Sequence, residues 1–253
     1  MDIGKLKKNW DEFGATDPMW AILTESNKKG NQWKLEDFFK AGDYEIDGVM
    51  EYVQSLNIQL NKGTALDFGC GVGRLTQALA KYFDKVYGVD IADSMINLAN
   101  TYNKHGDKCS FVLNEVDNLS IFDSNKFDFI YTNIVLQHMK PQYALKYIQE
   151  FIRLLNKDGV LIFQIPSERK RSDKFPRKIV RKLIPSSILD KLFYVRLDVQ
   201  AWFSKSSPRM EMYAIQQEEI IKFLRDNGVR VMDVKDDPMN HGLWESYIYC
   251  ITK

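Results

Sequence analysis

The stretch that most constrains this chain is Thr64-Ala-Leu-Asp-Phe-Gly-Cys-Gly-Val-Gly-Arg-Leu75, an apolar run that ends in an acid and then breaks into alternating glycines. The pattern predicts a buried parallel strand, a tight loop and the first turn of a helix. Gly69, Gly71 and Gly73 carry no Cβ, so the backbone can turn sharply and a ligand can touch the amides at the helix N-terminus. Lys85-Val-Tyr-Gly-Val-Asp90 then reads as a second strand. It ends in an acid about 20 residues further on, where nucleotide-binding βαβ units place a ribose-binding carboxylate. Asp90 is the candidate for that role.

Asp67 bears on which nucleotide fits. A carboxylate at the strand end repels a pyrophosphate, and the third glycine of a dinucleotide fingerprint falls on Arg74. A dinucleotide is therefore disfavoured, whereas S-adenosylmethionine has no phosphate and its ammonium and sulfonium would be attracted by the same acid. Asp67-Phe-Gly69-Cys-Gly71-Val-Gly73 resembles motif I, D/E-x-G-x-G-x-G, of the class I S-adenosylmethionine-dependent methyltransferases. That resemblance covers roughly 45 to 166 and 214 to 253. It implies S-adenosylmethionine as cofactor and S-adenosylhomocysteine as product, with Asp67, Gly69, Gly71, Gly73 and Arg74 around the cofactor. In the family an acid after the third strand accepts from the adenine amino group. Glu115 matches that position with Val116 beside it, and Asp117 is the competing assignment. Ile91 is placed to pack on the adenine face, and Asn133 closes the cofactor set.

Strand-like and helix-like patterns alternate along the chain. Helices are expected from Gly42 to Leu60, from Leu75 to about Phe83, after Asp93, after Pro141 and from Gln217 to Asn227. Strands are expected at Lys108 to Leu113, Lys126 to Thr132, Val160 to Ile165, Val229 to Val234 and Ser246 to Thr252. This alternation argues for a single α/β domain, residues 1–253, built on a doubly wound parallel sheet. The resemblance adds a Rossmann-like, mostly parallel seven-stranded sheet in the order 3-2-1-4-5-7-6, flanked by helices, with the last strand antiparallel.

The formal net charge of +1 gives no global pull toward nucleic acid or membrane. Cys70, Cys109 and Cys250 form no paired spacing, so no metal site is expected and a reduced, cytoplasmic protein is. No apolar run is long enough to span a bilayer. Neither composition nor pattern addresses oligomeric state.

The acceptor side is less defined. Residues 1–42 carry Trp10, Trp20 and Trp33 and read as short helices, either ordinary packing or a lid above the cofactor. The phrase from Trp10 to Trp20 is similar to the N-terminal extension of a bacterial subgroup of the family. Asn133-Ile-Val-Leu-Gln-His-Met139 sits at the carboxyl edge of the fourth strand and is similar to the small-molecule branch. It lacks the Asn/Asp-Pro-Pro-aromatic motif of enzymes acting on flipped bases, which disfavours a nucleic-acid partner. His138 is the candidate general base, with a shaping role as the alternative. Trp20, Trp33, Gln137, Arg169, Arg209, Tyr213 and His241 are the candidate acceptor-side residues.

Residues 167–212 form an insertion expected to cap the acceptor side. Glu168 to Lys182 holds eight basic residues against two acidic ones. A solvated face, a clamp on an anionic acceptor, and weak docking of 168–193 on an anionic membrane all fit that composition. The expected activity is O-methylation of a small polar, anionic acceptor, such as a sugar, nucleotide-linked or phosphate-bearing group of cell-surface glycan or secondary metabolism. The alternatives are a nucleic-acid methyltransferase and a non-catalytic cofactor-binding scaffold.

Overall fold

The computed structural model describes residues 3–169, 208–237 and 244–253. The elements run α1 (Ile3–Thr16), α2 (Pro18–Ile22), α3 (Leu35–Ser55), β1 (Thr64–Phe68), α4 (Arg74–Leu79), β2 (Lys85–Asp90), α5 (Asp93–Tyr102), β3 (Cys109–Leu113) and β4 (Phe127–Thr132). They continue with α6 (Pro141–Leu154), β5 (Leu155–Arg169), α7 (Gln217–Asp226), β6 (Arg230–Asp236) and β7 (Trp244–Thr252). The seven strands form one sheet in the order β3-β2-β1-β4-β5-β7-β6, as the resemblance implied. β1 to β5 pair in parallel, and β7 runs antiparallel to both β5 and β6.

The central strands are apolar on both faces because helices cover both. Leu66, Ile130, Leu161 and Phe163 pack with Ala144, Ile148 and Phe151 of α6. Their strand neighbours Ala65, Phe129, Val160 and Ile162 pack the other way, with Ile46 and Val53 of α3 and Leu79 of α4. The period-2 alternation of the strands thus becomes two cores, one on each side of the sheet.

α3 starts at Leu35, earlier than the expected Gly42, and so runs across the boundary expected for an N-terminal lid at residue 42. Gly42, expected at the start of the helix, lies inside it for a packing reason. A Cβ on Gly42 would sit 2.8 Å from the Arg74 carbonyl oxygen, so its absence lets α3 approach α4 closely. β5 also extends past the expected Val160–Ile165 at both ends. Leu155 pairs with Phe127 across an irregularity in the ladder, and Arg169 pairs with Trp244 of β7. Among the described residues, no helix is long and apolar enough to cross a membrane.

Candidate active site

A cavity of about 290 Å³ opens at the carboxyl ends of β1, β2, β4 and β5, where open α/β sheets bind ligands. Of the residues expected at a cofactor, Gly69, Gly71, Arg74, Asp90, Ile91 and Asn133 line it. The loop after β1 holds Gly69, Gly71 and Gly73 at φ of 77°, 53° and 84°. These left-handed conformations suit glycine and set the turn into α4. Asp90 fixes the same loop from β2. Its carboxylate accepts the Gly71 N–H at 2.8 Å through one oxygen and the Ala92 N–H at 2.9 Å through the other. Burial raises its pKa, and those backbone N–H groups oppose the rise.

Four expected cofactor residues stand elsewhere. Asp67 is 1% exposed and accepts the Thr76 hydroxyl at 2.6 Å, tying β1 to α4 instead of lining the cavity. Burial pushes its pKa up to about 7. Gly73 lies behind the cradle, where a Cβ would meet the Phe111 ring at 2.7 Å. Glu115 turns outward to Lys7 of α1, at 3.3 Å, and Val116 is exposed. Asn114 takes the place in the cavity wall expected for Glu115, held there by its amide donating to the Val116 and Asn118 carbonyls.

Glu45 of α3 organises this end of the cavity, and no sequence signal marked it. It pairs with Arg74 at 2.8 Å and accepts from the Tyr131 hydroxyl and the Asn133 amide at 3.0 and 2.8 Å. Two buried atoms of this cluster remain unmatched: Arg74 Nε, a donor, and Asn133 Oδ1, an acceptor.

The other half of the cavity is built from the ends of β4, β5 and β7 and from the segment before α7. Gln137 and His138 line it, as do Gln164, Met210, Met212, Asp237, Trp244 and Ser246. His138 is 3% exposed; its Nδ1 lies 2.8 Å from the Glu211 carbonyl and its ring is edge-on to Trp10. Burial pushes its pKa down to about 4, with the Glu211 carbonyl opposing. An imidazole held neutral by burial is a weaker base than the free side chain, which counts against the expected general-base role.

Ile134, between the two halves, has φ of 61°, a strained conformation for a β-branched residue. Its N–H is held by the Gln164 side-chain oxygen at 3.1 Å.

Trp20 and Trp33 do not line the cavity. Their indole N–H groups donate to the Glu25 and Leu23 carbonyls, and Trp33 packs on Phe38 within the N-terminal helices. Trp10 and Leu6 of α1 cover the cavity instead. α1 is tied down by Asp11, which accepts from the Ser94 N–H, and by Asn9, which donates to the Arg209 carbonyl at 3.0 Å. Arg169, Arg209 and Tyr213 are also outside the lining, although the Tyr213 N–H braces the Gln137 carbonyl at 2.7 Å. His241 and the basic and apolar stretch from 170 to 193 lie outside the described residues.

Residues 66–163 match a family described as a methyltransferase domain. Curated relatives include phosphoethanolamine N-methyltransferase 1 of Zea mays, 26% identical over 52% of this chain and 26% of that protein. The phosphoethanolamine N-methyltransferase of Plasmodium falciparum is 27% identical over 51% of this chain and 50% of that protein. The chain thus spans between a quarter and a half of the length of these relatives. Among solved structures, magnesium protoporphyrin IX methyltransferase from Synechocystis PCC 6803 with bound SAH superposes with a TM-score of 0.62 at 20% identity, covering all of both chains. Residues 66–163 thus match a methyltransferase domain, and the strand order and glycine cradle around them are those of the class I S-adenosylmethionine-dependent methyltransferase fold.

Proposed function

We propose that the chain transfers a methyl group from S-adenosylmethionine to a small-molecule acceptor that enters at the ends of β4, β5 and β7. The observation that carries this is the cavity of about 290 Å³ at the carboxyl ends of the parallel strands, edged by the left-handed glycines Gly69 and Gly71 and by the Asp90 carboxylate. A glycine turn at the start of a helix lets a ligand approach the backbone N–H groups closely. Asp90 adds acceptor lone pairs for ribose hydroxyls, since a carboxylate has about four acceptor sites and the turn N–H groups do not fill them all.

When bound, the cofactor supplies an electrophilic methyl group on a positively charged sulfur. The protein's part is to align and to exclude water. Trp10 and Leu6 roof the cavity, Met210, Met212 and Trp244 wall the acceptor half, and Asp90 and Gly71 hold the cradle in register.

The narrower expectation, O-methylation of an anionic sugar or phosphate-bearing acceptor in glycan or secondary metabolism, rests on the basic stretch from Glu168 to Lys182. Most of that stretch lies outside the described residues. The test of the general reading is release of S-adenosylhomocysteine, followed by mass spectrometry, from S-adenosylmethionine and a panel of amines, phenols, carboxylic acids and sugars. Acceptor-dependent release supports it, and loss of that release in Asp90→Ala ties the reaction to this cavity. Release that is unchanged in Asp90→Ala contradicts it.

A further inference from the structure

His138 belongs to a hydrogen-bonded chain that can run in only one direction. At one end, the Ile134 backbone N–H can only donate, so the atom of Gln164 that meets it at 3.1 Å is the side-chain oxygen. The Gln164 amide nitrogen therefore donates, to Ser246 Oγ at 2.6 Å and to the Gln137 side-chain oxygen at 3.2 Å. That leaves the Gln137 amide nitrogen facing His138 Nε2 at 3.2 Å. At the other end, the Glu211 carbonyl can only accept, so His138 Nδ1 carries the proton across the 2.8 Å contact. Two backbone groups of opposite character thus fix every assignment between them, independently of how the amides are drawn.

We infer that Gln164 and Gln137 lock His138 as a neutral, Nδ1-protonated imidazole whose Nε2 lone pair is already taken, so that the site serves acceptors whose nucleophilic atom needs no proton removed, an amine nitrogen above all. This rests on the proposed methyl transfer. Protonating Nε2 would set an N–H against the Gln137 amide N–H groups in a buried site, where an unmatched donor is expensive. Trp10 and the Glu211 carbonyl are the other groups against the ring. An aliphatic hydroxyl needs a base in the transition state, and this histidine is not one. A neutral amine needs none: its lone pair forms the N–C bond as the C–S bond breaks and its electrons return to sulfur, and the resulting ammonium loses its proton to water.

The chemistry of the walls favours the amine among lone-pair nucleophiles. Among the described residues of the acceptor half, none is Lys or Arg, while Trp10, Trp244, Met210 and Met212 supply apolar surface. Apolar walls keep an amine uncharged and penalise an anion. The same walls suit a methylated ammonium, which binds over aromatic faces.

Nitrogen NMR of histidine-labelled protein tests the lock without knowing the acceptor. The chain has three histidines, so His105→Gln and His241→Gln variants assign the signals. The expected result is an Nδ1–H tautomer of His138 that stays neutral down to about pH 5. An Nε2–H tautomer, or titration near pH 6.5, overturns the inference. Gln137→Glu places an acceptor opposite Nε2 and should move the His138 midpoint to above about pH 6.5; an unmoved midpoint in the folded variant also overturns it. Turnover of an aliphatic alcohol by the wild-type chain overturns the acceptor class. Failure to bind S-adenosylmethionine instead refutes the proposed function and leaves the tautomer measurement interpretable.

Discussion

Arg74 and Glu45 meet at 2.8 Å between α4 and α3, and this ion pair closes the glycine-cradle end of the cavity. Arg74 is 4% exposed, so its charge depends on that partner. Glu45→Gln should therefore destabilise the fold by roughly 2–4 kcal/mol, the cost of stranding a buried charge. Denaturant unfolding at pH 7 checks it, and a loss below about 0.5 kcal/mol, typical of a surface pair, contradicts the assignment.

Asp90→Asn keeps the volume of the side chain but replaces one acceptor oxygen with an N–H donor. One of the two turn amides, Gly71 or Ala92, then loses its partner. The expected cost is about 1–3 kcal/mol in stability. S-adenosylhomocysteine affinity should fall at least about tenfold, which is about 1.4 kcal/mol of binding free energy. Calorimetry and unfolding separate the two effects.

Gly69→Ala should be poorly tolerated. The backbone there has φ of 77°, and a Cβ would lie 2.3 Å from Val135 Cγ2. Val135 is β-branched and stiff, so strain and overpacking together should cost roughly 2–4 kcal/mol. Gly30→Ala, also at positive φ but with nothing within 4 Å of the new Cβ, is the matched control and should cost only about 1 kcal/mol.

Asp67 and His138 should tilt stability with pH in opposite senses. Asp67 is pushed up to about 7 in the folded chain, so between about pH 4 and 7 the native state keeps a proton that the unfolded chain has released, and stability falls as pH rises. His138 is pushed down to about 4, so between about pH 6.5 and 4 the unfolded chain takes up a proton that the native state refuses, and stability falls as pH drops. Unfolding curves across this range should lose the first slope in Asp67→Asn and the second in His138→Gln.

The sheet was largely legible because each central strand is a continuous apolar run, and burial on both faces is what such a run records. The cradle was legible for a similar reason, since glycines at left-handed positions are dictated locally. Glu45 and Gln164 were not. Glu45 lies on an amphipathic helix whose polar residues mostly face solvent, and only the close approach allowed by Gly42 carries it to Arg74. Gln164 sits within an apolar strand, and its partners come from the loop after β4 and from β7. The expected role of Asp67 misplaced a real constraint: the acid is required, but by Thr76 across the β1–α4 corner. Trp20 and Trp33 read as cavity aromatics because sequence shows their area but not their direction.

The central claim is that the cavity beside Gly69, Gly71 and Asp90 binds the methyl donor and its product. Calorimetric titration of the wild-type chain and of Asp90→Ala with S-adenosylhomocysteine tests it most directly. The account predicts one site of roughly micromolar affinity, about −8 kcal/mol, weakened at least about tenfold by the substitution. No heat at millimolar ligand, or equal affinity in the two proteins, would contradict it.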